Sequence, residues 1–145
     1  MTLRRAIRAF LFNTRGAVAI EFAAIALPLM LLLGGSIEVS RYVWTRLALQ
    51  DAASTGARCV GLRLAPCFAA ENMDASGTVG FVQAQAGAWA IEIPEGSVTP
   101  EAATACHGVA DFAKIEIRHR FTDVLAILPE TWIDVEACFP VMPSE

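Results

Sequence analysis

Residues Gly16 to Ile37 form a run of 22 residues with a single ionisable side chain, Glu21. As an α-helix at about 1.5 Å per residue such a run spans about 33 Å, enough to cross a hydrocarbon core of about 30 Å. No other feature of the chain limits its folding as strongly. The 55% hydrophobic content is concentrated here, since Phe22 to Ile37 carries no charge at all. A buried core helix can be this apolar, but it is rarely preceded by an arginine cluster. Every ionised residue before Gly16 is basic: Arg4, Arg5, Arg8 and Arg15. Beyond Gly16, seven Lys and Arg face all fifteen Asp and Glu, a formal charge of −8. By the positive-inside rule the short N-terminus stays in the cytoplasm and the acidic remainder crosses the membrane. An acidic exported part has no basic surface with which to neutralise phosphates, so nucleic acid is excluded as a partner.

Four cysteines, Cys59, Cys67, Cys106 and Cys138, all fall on the exported side. In an oxidising compartment an even count reads as two disulfides. The spacings contain no CxxC, which argues against zinc, and no metal or other cofactor is expected. Three connectivities are open. The preferred one closes a local loop with Cys59–Cys67 and ties later strands with Cys106–Cys138.

Past Ile37 no stop signal appears, and helix formers continue through Gln50 and Asp51. Trp44, Leu47, Ala48 and Ala52 fall on one helical face. A single helix is expected from about Ala17 to about Arg58, with a bend or local unwinding at Pro28, which has no amide hydrogen to donate. Gly34-Gly35 is a second soft point or a packing notch. Gly61 to Gly77 reads as loop. Thr78 to Ile93 reads as a second helix, with Phe81, Val82, Ala86, Trp89 and Ile93 at helical spacing, ended by Pro94-Glu95-Gly96. The period then changes to two. Strands are expected at Ser97–Cys106, Ala113–Phe121 and Trp132–Phe139, with a turn at Cys106-His107-Gly108 and a crossover at Val124–Leu128. His119 falls on the apolar side of its strand and reads as a satisfied core residue. Lys114, Glu116, Arg118, Asp134 and Glu136 read as a solvated sheet face. Trp44, Trp89 and Trp132 read as isolated interfacial or core residues. No nucleophile elbow, phosphate loop or HExxH is present, and no catalytic residue is expected. The fold class is therefore α+β: a long N-terminal helix, half in lipid and half in the periplasm, packed on a small antiparallel sheet.

The string Arg15-Gly16-Ala17-Val18-Ala19-Ile20-Glu21-Phe22 resembles the processing site of the TadE/TadF pseudopilins and related Flp pilins. The resemblance continues through Phe22–Pro28, Ile37-Glu38-Val39-Ser40-Arg41 and Leu47–Ala53. Phe22 stands where Flp pilins usually carry Tyr, and about ninety residues follow where those pilins end. Both departures favour a minor pseudopilin. The resemblance implies a pilin-like fold with a leader at 1–16, a transmembrane helix at 17–37, its periplasmic continuation at 38–60 and a globular part at 61–145. It implies cleavage between Gly16 and Ala17 by an inner-membrane prepilin peptidase. Glu21, followed by Phe22, would then pair with a freed N-terminal amine during assembly, the amine being its own or a neighbour's. The implied partners are that peptidase, other Tad pseudopilins and pilins, the inner-membrane assembly platform with its ATPase, and membrane lipid. Two other readings remain: an uncleaved single-span scaffold or chaperone, and a secreted enzyme or binding protein cut near Gly34–Ser36. Glu21 within the apolar run and the helix past Ile37 speak against the second of these.

Overall fold

A computed structural model describes residues 16–69, 71–124 and 130–142. The expected leader, up to Arg15, lies outside the described residues, as does most of the Val124–Leu128 crossover. The elements are helix α1 (Ala17–Gly61), strands β1 (Phe68–Ala69) and β2 (Asn72–Met73), helix α2 (Ala75–Gly87), and strands β3 (Val98–Cys106), β4 (Val109–Phe121) and β5 (Thr131–Pro140). This is the expected α+β arrangement of a long N-terminal helix and a small antiparallel sheet. The chain divides into two compact units between Val39 and Ser40.

The first unit contains the apolar part of α1. Its helix runs unbroken through Pro28 and Gly34-Gly35, so the local unwinding that was one of the two expectations at Pro28 does not occur. Proline removes one intrahelical hydrogen bond, and an apolar sequence offers the backbone no competing partner. The most apolar stretch has a mean hydropathy of 2.1 and buries none of its residues in the chain. Among the described residues this is the single helix long and apolar enough to cross a membrane.

The second unit has a core. Strands β3, β4 and β5 form an antiparallel sheet in that order. Alternation along β4 places Ala113, Ile115, Ile117 and Phe121 inward, and β5 adds Ile133 and Val135, all buried. Each large aliphatic side chain so buried contributes roughly 1.5–3 kcal/mol. Against this face lies the second half of α1, through Ala48, Leu49, Ala52, Ala53, Gly56, Ala57 and Val60. That stripe is rotated from the expected one: Ala48 and Ala52 are buried, but Trp44 and Leu47 are exposed. Small side chains won the inward face because they let the helix approach the sheet. A Cβ on Gly56 would stand 2.5 Å from Val82 Cγ2 and 3.4 Å from Ile115 Cγ1. Gln50 fastens the same helix by donating from Nε2 to the Glu136 carbonyl at 2.8 Å.

Two segments differ from expectation. The stretch read as loop contains a two-residue hairpin pairing Phe68 with Met73 and Ala69 with Asn72. Helix α2 starts at Ala75 and ends at Gly87, displaced toward the N-terminus of the expected Thr78–Ile93. Asp74 sets the start as N-cap, its Oδ1 accepting from Gly77 N–H at 3.0 Å and Ser76 Oγ at 2.7 Å. These bonds favour the carboxylate and hold the Asp74 pKa below its usual value. At the other end Ala90 adopts φ 60° and Ile91 N–H bonds back to Ala86 O at 3.1 Å. The chain then enters the core extended, burying Ile91 and Ile93. The helical spacing of Trp89 and Ile93 was therefore a coincidence of two apolar residues in a non-helical segment, of which only Ile93 is buried.

Candidate functional site

The N-terminus of α1 carries the residues for which the resemblance implies processing and assembly. Gly16 forms a 3₁₀ turn and Ala17 opens the helix. Glu21 lies four residues on, one helical turn from Ala17 and on its side of the helix. Glu21 is exposed, and Phe22 is 72% exposed beside it. Among the described residues a side chain at Gly16 would meet nothing within 4 Å, and no left-handed backbone requires glycine there. Neither packing nor conformation accounts for glycine at this position.

In the second unit, Cys59 is joined to Cys67 and Cys106 to Cys138. These are the preferred pairs of the three possible connectivities. The first ties the end of α1 to the start of β1 across a separation of 8, and both cysteines are buried. The second joins β3 to β5, the outer strands of the sheet, across a separation of 32. In the chain-entropy account loops of these lengths stabilise by about 2.5 and about 3.7 kcal/mol.

The outer face of the sheet is polar. Glu116 stands opposite Glu136 in the ladder and Arg118 opposite Asp134. Lys114 bridges this face, with Nζ 2.5 Å from Glu116 and 3.9 Å from Glu101. The hydrogen bond to Glu116 leads the causes that raise the Lys114 pKa. Arg118 pairs with Asp134 at 3.6 Å and lies 4.9 Å over the Trp132 ring, while Arg120 pairs with Glu130. Exposed pairs of this kind contribute little each. The face has the charged, solvated character expected of it. Among the described residues no three His, Cys, Asp or Glu side chains converge as metal ligands.

His119 departs from expectation. It lies on the inner side of β4, half-buried, but its Nδ1 is buried without a hydrogen-bond partner among the described residues. Arg41, Glu92 and Arg120 line the cleft beside it. Burial lowers the His119 pKa, because charging the ring there means desolvating it. The unfolded chain, with an ordinary histidine near 6.5, binds the proton more readily, so stability falls as pH drops below about 6.5. Urea melts from pH 8 to pH 5 should show a falling midpoint, and His119→Phe should flatten that trend. An unchanged slope in the variant would assign the acid sensitivity to other groups.

Two tryptophans read as isolated also meet. Trp44 and Trp89 pack edge to face with ring centroids 5.2 Å apart. The sequence places them 45 residues apart, and no local spacing could have paired them. Glu38 is buried, which its position at the end of an apolar run did not signal.

With α1 and its N-terminal turn described, the comparison with protein families reads directly onto them. Residues 16–58 match the family model of TadE-like protein. The matched segment starts at Gly16, the residue before the helix, and ends within its last turn. It takes in Glu21, Phe22, Pro28 and the small-residue stripe as far as Ala57. It covers under a third of the chain and none of α2 or the sheet. The match associates the chain with the Tad pilus, and TadE-like proteins are pilus components rather than a known enzyme family. Comparison with curated proteins and with solved structures finds no match.

Proposed function

We propose that this chain is a minor pilin or pseudopilin of a Tad (Flp-type) pilus, acting in pilus assembly and surface adherence. The apolar half of α1 anchors it in the bacterial inner membrane, with the N-terminus cytoplasmic and the second unit periplasmic. A prepilin peptidase removes residues 1–16, and the mature subunit enters the pilus with other pseudopilins and pilins through the membrane platform and its ATPase. Its mechanism is assembly, with no reaction of its own.

The observation that carries this reading is the coincidence of the TadE-like match, the start of α1 and Gly16. A glycine that neither packing nor backbone conformation demands is available for close approach by a protease backbone. Arg15 and the upstream arginines hold the junction at the anionic cytoplasmic headgroups. The acidic remainder and the two disulfides support export to an oxidising compartment.

The N-terminus of the mature protein tests the proposal. Sequencing protein recovered from the envelope should give Ala17 as the first residue, and Gly16→Leu should leave the full-length precursor. Met1 in the unaltered protein would replace the pseudopilin with an uncleaved scaffold. A start near Ile37 would mark an ordinary secreted protein.

A further inference from the structure

The tip of the β3–β4 hairpin does not follow its sheet. Glu101 stands opposite Lys114 and Lys114 opposite Cys138, so these residues share one level across the strands. Cys106 lies five residues beyond Glu101, about 16 Å farther along a straight strand at roughly 3.3 Å per residue. Its Cα is nevertheless 6.5 Å from that of Cys138. The end of the hairpin therefore doubles back over β4. The backbone turns at Ala103 on β3 and Asp111 on β4, with φ of 55° and 65°, and the ladder slips register on both sides of Thr104. A left-handed alanine is unfavourable by itself, so the bend lasts only where another contact imposes it.

That contact is the disulfide. From Ala102 to Asp111 the single buried residue is Cys106, and none of the segment joins the hydrophobic core. Cys138 points to the outer face of the sheet, as Asp134 and Glu136 do, because Ile133 and Val135 point inward. It is half-buried there, opposite Lys114. The ion pair at the tip is weak, with His107 Nε2 4.0 Å from Glu136 Oε1 and the His107 side chain 82% exposed. Cys59 and Cys67 differ. Both belong to the core, at 4% and 0% exposure, so reaching them requires the core to open.

We propose that Cys106–Cys138 is a thiol-exchange site, and that residues 102–111 form a flap which this bond locks over the outer face of the sheet. Its reaction partner is a dithiol. One thiolate of the dithiol attacks Sγ of Cys138, the less buried cysteine. The Sγ–Sγ bond breaks, and Cys106 leaves as a thiolate and takes up a proton. The second thiolate then displaces Cys138 from the mixed disulfide. The dithiol is oxidised by two electrons to a disulfide, and both cysteines end as thiols. The ladder from Val98 to Glu101 remains, but nothing then imposes the left-handed turns at Ala103 and Asp111. The flap swings away and uncovers Lys114, whose side chain is 19% exposed in the locked state. This device is independent of membrane anchoring and of the pilus.

The test uses the full chain, oxidised, in detergent micelles without denaturant. It is exposed to dithiothreitol, trapped with N-ethylmaleimide at intervals and mapped by peptide mass spectrometry. Cys106 and Cys138 should be labelled at least about tenfold faster than Cys59 and Cys67, because local opening is more frequent than opening of the core. Hydrogen exchange on the chain reduced at that bond alone should show lost protection at 102–111 and retained protection at Ala113–Phe121. Labelling of all the cysteines together, or of Cys59 and Cys67 first, overturns the exchange site. A chain in which neither bond is reduced until urea unfolds it does the same. Selective labelling with unchanged exchange at 102–111 overturns the flap. So does loss of protection through Ala113–Phe121, which would make the bond a brace of the whole sheet. Cys106→Ser with Cys138→Ser should give the open flap without reductant, and protection of 102–111 in that variant would refute it.

Discussion

A chain carrying Glu21→Ala is expected to insert in the membrane at the normal level and to be missing from assembled pili. Removing the carboxylate relieves a cost of up to about 3 kcal/mol at mid-bilayer, less near the interface, so insertion does not suffer. At the start of a helix the dipole already favours a negative charge, which makes Glu21 tolerable in a lone chain without giving it a task. In the proposed assembly it faces the Ala17 amine of its own helix or a neighbour's, in surroundings with little water to screen the pair. Breaking one side of such a buried charge pair costs about 2–5 kcal/mol per contact. Glu21→Gln keeps the shape and loses the charge, so it should fail in the same way. The measurement is an immunoblot of membranes and of sheared pili from cells expressing each variant. Normal amounts in the sheared fraction would remove the pairing from the proposal.

Gly56→Leu is expected to have the largest effect on the fold of the second unit. Even a Cβ at this position would stand 2.5 Å from Val82 Cγ2 on α2, and Ile115 of β4 closes the other side. Overpacking at such a site costs about 3 kcal/mol, a large share of the stability of a small unit. Gly80→Ala provides the contrast. That glycine is exposed within α2, and an added Cβ meets nothing within 4 Å. Its replacement should stabilise by about 0.5–1 kcal/mol, as alanine loses less backbone freedom on folding. Denaturant melts of the two variants should move in opposite directions. A neutral Gly56→Leu would mean that the helix and the sheet do not pack as closely as the side chains indicate.

The two variants mark how far the sequence could be read. Period-two alternation over Ala113–Phe121 and Ile133–Phe139 identified two strands and their buried faces, since a half-buried strand writes its environment into every second residue. The core side of α1 was misread because Ala and Gly leave little pattern. Trp44 and Leu47 looked like core on hydrophobicity, whereas the sheet needed the closest approach and selected Ala52, Gly56 and Ala57. The start of α2 was legible in Asp74 and Ser76-Gly77 as capping chemistry, but those same residue types also mark loops.

For the candidate site the division is different. The apolar run, the arginines before Gly16, the acidic remainder and Glu21 are local features of composition and order. The sequence alone determined from them a helix long and apolar enough to cross a membrane and the TadE-like segment, because length and hydropathy are summed residue by residue along one stretch of chain. Tertiary structure alone decided which of three cysteine pairings forms. It also exposed Trp44 beside Trp89 and left His119 Nδ1 buried without a partner among the described residues. Each of these depends on which distant segments meet, and that is set by the packing of a whole core rather than by any local spacing.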